Sequence, residues 1–260
     1  MKSLLPLFVI LLGAVSTAAA ERPNVLFIVA DDLNDWVGCL GGHPQARTPH
    51  IDRLARRGTL FVNAHCQAPL CNPSRVSVLV GRRPSTTGVY SLQPGFRRVS
   101  SLADAVTLPQ QFRRHGYYTF ACGKVFHTDS LSEADRAQEF ESWGVDPRWA
   151  FSPELPRLPH KLTRVPSSSP ILDWGAFPER DTDHADWRIA DDAIAHLMGA
   201  PADRPFFIAA GFRQPHIPCY ASPRWFDGYP DRSLELPPVR FDDRDDVPEF
   251  AWYWSFANSG

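Results

Sequence analysis

Three stretches of this chain are apolar without alternation, and each runs straight into polar residues. Residues 24–30 (Asn-Val-Leu-Phe-Ile-Val-Ala) end at Asp31-Asp32, residues 117–122 end at Gly123-Lys124, and residues 205–211 end at Phe212-Arg213-Gln214-Pro215-His216. A strand with one wet face alternates, so unbroken apolar runs suit parallel strands buried on both faces, with residues 24–30 as a central one. Between them the period becomes helical. Thr48 caps a helix that begins at Pro49, turns Ile51, Leu54 and Ala55 inward and stops at Gly58. Residues 60–64 read as a short strand, and residues 76–80 as the apolar part of a helix halted by Gly81. Thr107 caps residues 108–115, with Gly116 behind them, and Asp183 caps residues 185–198, with Ile189, Ala190, Ala193, Ile194 and Leu197 inward and Gly199 at the end. Residues 129–182, rich in Pro and Trp and poor in periodic runs, read as a long surface excursion that shapes a cleft. The pattern predicts an α/β domain with a mostly parallel central sheet flanked by helices.

Candidate chemistry collects where the strands end, which is where open parallel sheets hold their ligands. Asp31 and Asp32 offer hard oxygen ligands for Ca²⁺ or Mg²⁺, and the same pair serves equally as an Asx turn leaving a strand. Lys124 is a point-charge donor for anionic oxygen, and His127 is either a proton-transfer group or a hydrogen-bonded structural histidine. His216 stands in a loop stiffened by Pro215 and Pro218. Cys71-Asn72-Pro73-Ser74-Arg75 leads into the predicted helix that ends at Gly81, with Cys71 just before its N-terminus. Its unpaired amides favour negative charge, Pro73 has no amide hydrogen to lose in a first turn, and Arg75 points back one turn. Cys71 is thus an activated sulfur or an ordinary buried thiol. The acidic cluster Asp181, Asp183, Asp186, Asp191 and Asp192, with His184 and His196, is accounted for by capping and a solvated helix face.

Composition narrows the setting. Lys2, the apolar residues 4–15 and Ala18-Ala19-Ala20 read as a cleavable signal peptide over residues 1–20, followed by one exported domain at 21–260 in a periplasmic, extracellular or lysosome-like compartment. No other run approaches a membrane span, so stable membrane insertion is not expected. Loss of Lys2 takes the formal charge from −2 to −3, which gives nucleic acid no broad attraction. Five cysteines leave at least one thiol unpaired, and up to two bridges.

Cys-x-Pro-Ser-Arg, followed here by Val-Ser-Val-Leu-Val-Gly-Arg-Arg-Pro, resembles the signature of type I sulfatases. The opening Pro-Asn-Val-Leu-Phe-Ile-Val-Ala-Asp-Asp-Leu, the segment Gly123-Lys124-Val125-Phe126-His127 and Pro215-His216-Ile217-Pro218 are similar to stretches of the iduronate-2-sulfatase-like branch. The resemblance implies the alkaline-phosphatase-like α/β fold and hydrolysis of a sulfate ester on a sulfated sugar or polysaccharide. It implies that Asp31, Asp32 and residue 71 bind one Ca²⁺, and that Cys71 is converted to formylglycine by a formylglycine-generating or equivalent maturation enzyme. The hydrated aldehyde would be the nucleophile, Arg75 and Lys124 would hold it and the sulfate oxygens, His127 would assist proton removal and His216 would act as acid. Phosphate or phosphonate ester hydrolysis and noncatalytic binding of sulfated glycan are the competing functions. The family pattern carries a later Asp-His pair and a Lys, and no Asp-His-Gly follows His216 here; the expectation is a partial or truncated sequence, and, were these 260 residues the whole protein, weak cation binding, little turnover and poor solubility.

Overall fold

The structure, a computed structural model, describes residues 22–127, 131–145, 158, 160–163, 171–238, 240–243 and 245–251. The proposed signal peptide lies outside them, as do Trp149, Arg164 and residues 252–260. In chain order the elements are β1 (Val25–Asp31), α1 (Pro49–Arg57), α2 (Cys71–Val80), α3 (Pro84–Thr87), α4 (Leu108–Arg114), β2 (Tyr118–Gly123), α5 (Glu133–Glu139), β3 (Ser142–Trp143), β4 (Trp174–Ala176), α6 (Ala185–Met198), β5 (Phe206–Pro215) and β6 (Cys219–Ala221). Short 3₁₀ turns fill several of the connections. Four strands form a parallel sheet in the order β1-β5-β2-β3, and β4 pairs with β6 in a separate parallel ribbon.

The apolar runs explain the order only in part. Phe207, Ile208, Ala209 and Ala210 of β5 and Phe120, Ala121 and Cys122 of β2 are essentially without solvent contact, as strands covered on both faces must be. The face carrying Phe207, Ala209 and Ala121 packs on Val76 and Leu79 of α2 and on Phe96, Leu102 and Phe140. The opposite face, with Phe120, Ile208 and Ala210, packs on Ile189 and Ala193 of α6. Burying a side chain of this size stabilises the fold by about 1.5–3 kcal/mol, so both layers matter to the sheet.

Several expectations need correcting. Among the described residues β1 pairs with β5 alone, where a central strand was expected, and Leu26 and Ile28 are 43% and 54% exposed. Helix α1 has the predicted bounds but buries none of its residues, Ile51 and Leu54 included, because no described element covers that side. Residues 60–64 are a turn rather than a strand, with Phe61 and Val62 largely exposed. The excursion at 129–182 contains α5 and the sheet strand β3, and sends Phe140 and Trp143 into the core. In α6, Ile189 and Ala193 face inward as predicted, whereas Ile194 is half exposed and the residue before the helix is His184, without a side-chain cap. All five cysteines are free thiols.

Candidate active site

The first component is the start of α2. Leu70 precedes the helix in extended conformation, Cys71 is its first residue, and Gly81 closes it in the left-handed region (φ 67°), where its amide donates to the Ser77 carbonyl at 2.9 Å. Pro73 falls among the first amides, which have no partner inside a helix, so its missing N–H costs nothing. Fully buried Asn72 donates to the carbonyls of Ser91 (2.9 Å) and Pro94 (3.2 Å), which fixes the loop beside Cys71.

The second component is Asp31 at the end of β1. The register between β1 and β5 shifts after Ala30, so that Asp31 lies opposite Pro215. This irregularity brings the carboxylate next to the loop that carries His216. Asp32 follows in the left-handed region (φ 58°), which turns the two neighbouring carboxylates in different directions. Asp31 is buried, and Asp32 is 56% exposed at its side chain.

The third component depends on a close crossing of two glycines. Gly123 ends β2 at φ +73°, and a Cβ there would fall on the carbonyl oxygen of Gly211; a Cβ on Gly211 would fall on the Lys124 backbone. With no side chain at either position, the Lys124 amide donates to the Gly211 carbonyl at 2.7 Å and the Lys124 side chain enters the site.

These parts converge on Asp31. The Lys124 ammonium donates to Asp31 Oδ2, and the Arg75 guanidinium donates to Asp31 Oδ1 at 2.6 Å and to the carbonyls of Lys124 and, at 3.2 Å, Val125. Cys71 Sγ is 3.7 Å from Asp31 Oδ1 and 3.7 Å from Lys124 Nζ. Among the described residues, the ligand atoms of Asp31, Cys71 and His216 lie within 4.8 Å of one another, a group to which neither Asp32 nor His127 belongs. Asp32 is reached through His216, whose Nε2 is 3.8 Å from Asp32 Oδ2. His216 Nδ1 lies 2.5 Å from the Ile217 carbonyl. A carbonyl only accepts, so we assign that nitrogen its proton and Nε2 is the nitrogen facing the site. His127 stands half-buried three residues beyond Lys124. Burial pushes the Asp31 carboxyl up, but the charge of Arg75 and the hydrogen bonds and charge of Lys124 outweigh it and hold the carboxyl below its ordinary value.

A cavity of about 510 Å³ opens on this cluster, bounded at its polar end by Asp31, Asp32, Cys71, Ser74 and Arg75. Asp31 and Asp32 supply hard oxygen donors of the kind a divalent cation takes, and a cation bound there would replace the contacts that Lys124 and Arg75 make with Asp31. In the same place an anion finds an ammonium, a guanidinium and a helix N-terminus. Sequence reasoning named each of these residues, but not the pairing of Arg75 and Lys124 with Asp31. It also missed Asp186, whose carboxylate binds the backbone ahead of His216. Nothing local separates that residue from the other acids around α6.

The family model described as Sulfatase matches residues 23–238. A protein described as Sulfatase from Formosa agariphila is 37% identical over 235 residues, which are 88% of this chain and 46% of that relative. Iduronate 2-sulfatase of Homo sapiens is 34% identical over 237 residues, 86% of this chain and 40% of the relative. The chain thus spans less than half the length of these relatives. Among solved structures, a protein in complex with its substrate D-glucosamine-2-N,6-O-disulfate superposes with a TM-score of 0.60 at 24% identity, covering 84% of this chain and 40% of that one. The phosphonate monoester hydrolase of Agrobacterium radiobacter gives 0.59 at 19%, covering 83% and 45%. At such identities these two report the shared fold, and the mostly parallel sheet flanked by helices is the alkaline-phosphatase-like architecture.

Proposed function

The chain belongs to the sulfatase family, and from that premise we propose that it supplies the catalytic centre of an exported sulfuric ester hydrolase acting on a sulfated carbohydrate. The observation that carries the reading is the meeting of Asp31, Cys71 and His216 within 4.8 Å, with Lys124 and Arg75 bound to the same Asp31. Three strand ends and a helix start separated by up to 185 positions in sequence bring a thiol, a carboxylate, two cations and an imidazole to one place, the convergence expected of a site.

In this reading Cys71, after conversion to formylglycine by a maturation enzyme, provides the nucleophilic oxygen at the mouth of α2. Asp31 and Asp32, with residue 71, would hold Ca²⁺, whose charge would offset that of a bound sulfate. Lys124, already 3.7 Å from Sγ, balances a nonbridging sulfate oxygen placed against residue 71. Arg75 fixes Asp31 and lends its charge to the same space. His127 assists removal of a proton from the nucleophile. His216, as the imidazolium protonated on both nitrogens, gives its Nε2 proton to the leaving oxygen while Nδ1–H stays on the Ile217 carbonyl. A sugar substrate is favoured by the iduronate 2-sulfatase and disulfated-glucosamine neighbours.

Phosphate or phosphonate ester hydrolysis is the second reading, supported by the fold shared with a phosphonate monoester hydrolase. Hydrolysis of an aryl sulfate and an aryl phosphate is compared with Ca²⁺ and with chelator, after co-expression with a maturation enzyme. The proposal expects Ca²⁺-dependent preference for sulfate, abolished by Cys71→Ala. Preference for phosphate selects the second reading, and binding of sulfated glycan without turnover by an unconverted Cys71 selects a noncatalytic role.

A further inference from the structure

Strand β5 outruns its neighbour. The last β2 residue paired with it is Gly123, opposite Gly211, and the chain still has four positions to cover before it reaches His216. Beyond Gly211 no β2 residue is available to accept the amides on that edge. A buried or half-buried amide without an acceptor is costly, and a segment held by none would not keep one position. The acceptor comes from α6. Asp186, its second residue, receives the Arg213 amide on Oδ1 and the Gln214 amide on Oδ2, each at 2.8 Å. Immediately afterwards Pro215 lies opposite Asp31, and the His216 amide donates back to the Arg213 carbonyl at 3.0 Å. The far side of the loop is fastened separately: the Cys219 amide donates to the Asp173 carbonyl at 2.9 Å, and the Gln214 side chain donates to the Pro218 carbonyl at 3.3 Å.

We propose that Asp186 is a positioning residue for His216, its two carboxylate oxygens clamping the two amides that precede the turn and thereby setting where the imidazole meets Asp31 and Cys71 and how near Nε2 comes to Asp32. The inference rests on the reading of His216 as the proton donor. Both oxygens are needed. An Asn side chain keeps one acceptor and turns an NH₂ toward the second amide, so two donors face each other and the clamp must open on one side. The segment is long enough for such an opening to move the imidazole by about an ångström, a displacement that costs about 100-fold in a positioned reaction.

The test compares the full chain with Asp186→Asn and Asp186→Glu. Three readouts are taken: amide hydrogen exchange at Arg213 and Gln214, the ¹³C–¹H cross-peak of the His216 ring, and kcat and KM on an aryl sulfate after co-expression with the maturation enzyme. In Asp186→Asn we expect protection lost at one of the two amides, the His216 cross-peak displaced while that of His43 stays, and kcat reduced by about 10- to 100-fold with KM within about twofold. Asp186→Glu, which keeps two acceptors on a longer arm, should recover part of each. A merely structural role predicts a lower melting temperature with the His216 signal and kcat of the folded, converted protein unchanged; that result overturns the proposal. Should Asp186→Asn not fold, the same criteria are applied to Asp186→Glu against the parent chain. If the parent chain hydrolyses no sulfate ester, the exchange and ring-signal arms still decide the clamp, and only the proposed function falls.

Discussion

Replacement of Gly123 by Ala tests whether the site depends on the crossing of β2 over β5. Two costs are expected. The first is conformational: Gly123 has φ +73°, where an L side chain costs about 1–2 kcal/mol. The second is steric, because the new Cβ would meet the Gly211 carbonyl oxygen and Ile189 Cδ1 (2.9 Å), and overpacking of that kind costs about 1–3 kcal/mol. Gly88 supplies the control. Its φ is +75°, and a Cβ there has nothing within 4 Å, so Gly88→Ala carries the first cost alone. Urea unfolding should therefore show Gly88→Ala destabilised by about 1–2 kcal/mol and Gly123→Ala by about 2–5 kcal/mol. The relief available to Gly123→Ala is to open the 2.7 Å hydrogen bond between the Lys124 amide and Gly211, which carries Lys124 Nζ away from Cys71. Loss of turnover in the folded variant should accompany the loss of stability. Equal destabilisation of the two variants would refute the reasoning, since it would mean that the crossing tolerates a methyl group.

Other substitutions probe the charges. The pKa of Asp31 in the folded state lies below its ordinary value near 3.8, so its pairing stabilises the fold above that pH and the contribution is lost as pH falls through the depressed value. The stability of Asp31→Asn should accordingly vary less with pH below about 4 than that of the parent, as measured by thermal unfolding across the acid range. Glu139 is fully buried, where it accepts from Arg97 and Thr107. Arg97→Met leaves that carboxylate without its cation and should cost about 3–5 kcal/mol, much of it recovered in the double variant with Glu139→Gln. Burial and the charge of Asp192 push the Cys122 thiol up to about 12, so this residue should resist alkylation at neutral pH in the folded protein while exposed Cys66 reacts.

The polar ends of the apolar runs were legible because a parallel sheet leaves few other places for charged residues directly after a buried strand. Asp31, Lys124 and His216 follow from that rule, and Cys71 with Arg75 from the helix-start chemistry around Pro73. For the run at residues 24–30 the described residues supply one strand partner where the apolar pattern led us to expect two. Its composition matches that of β5, yet β1 has one hydrogen-bonded neighbour among the described residues and β5 has two, a difference of topology that apolar content does not encode. Helix α1 shows the reverse case, with start and stop signals read correctly and a face that nothing described covers. In residues 129–182 the abundance of Pro and Trp masked α5, whose capping pair Ser132 and Asp135 is a local signal that could have been found. The role of Asp186 was not legible, because its partners lie 27 and 28 residues away in a strand extension.

The central claim is that residue 71 supplies the nucleophile as formylglycine, and the mass of the tryptic peptide spanning residues 58–75 tests it most directly. Co-expressed with a formylglycine-generating enzyme, that peptide should be about 18 Da lighter than its cysteine form, and it should keep the cysteine mass without the enzyme. An unchanged mass in a host that converts other sulfatases would contradict the account and leave Cys71 an ordinary thiol beside a buried ion cluster.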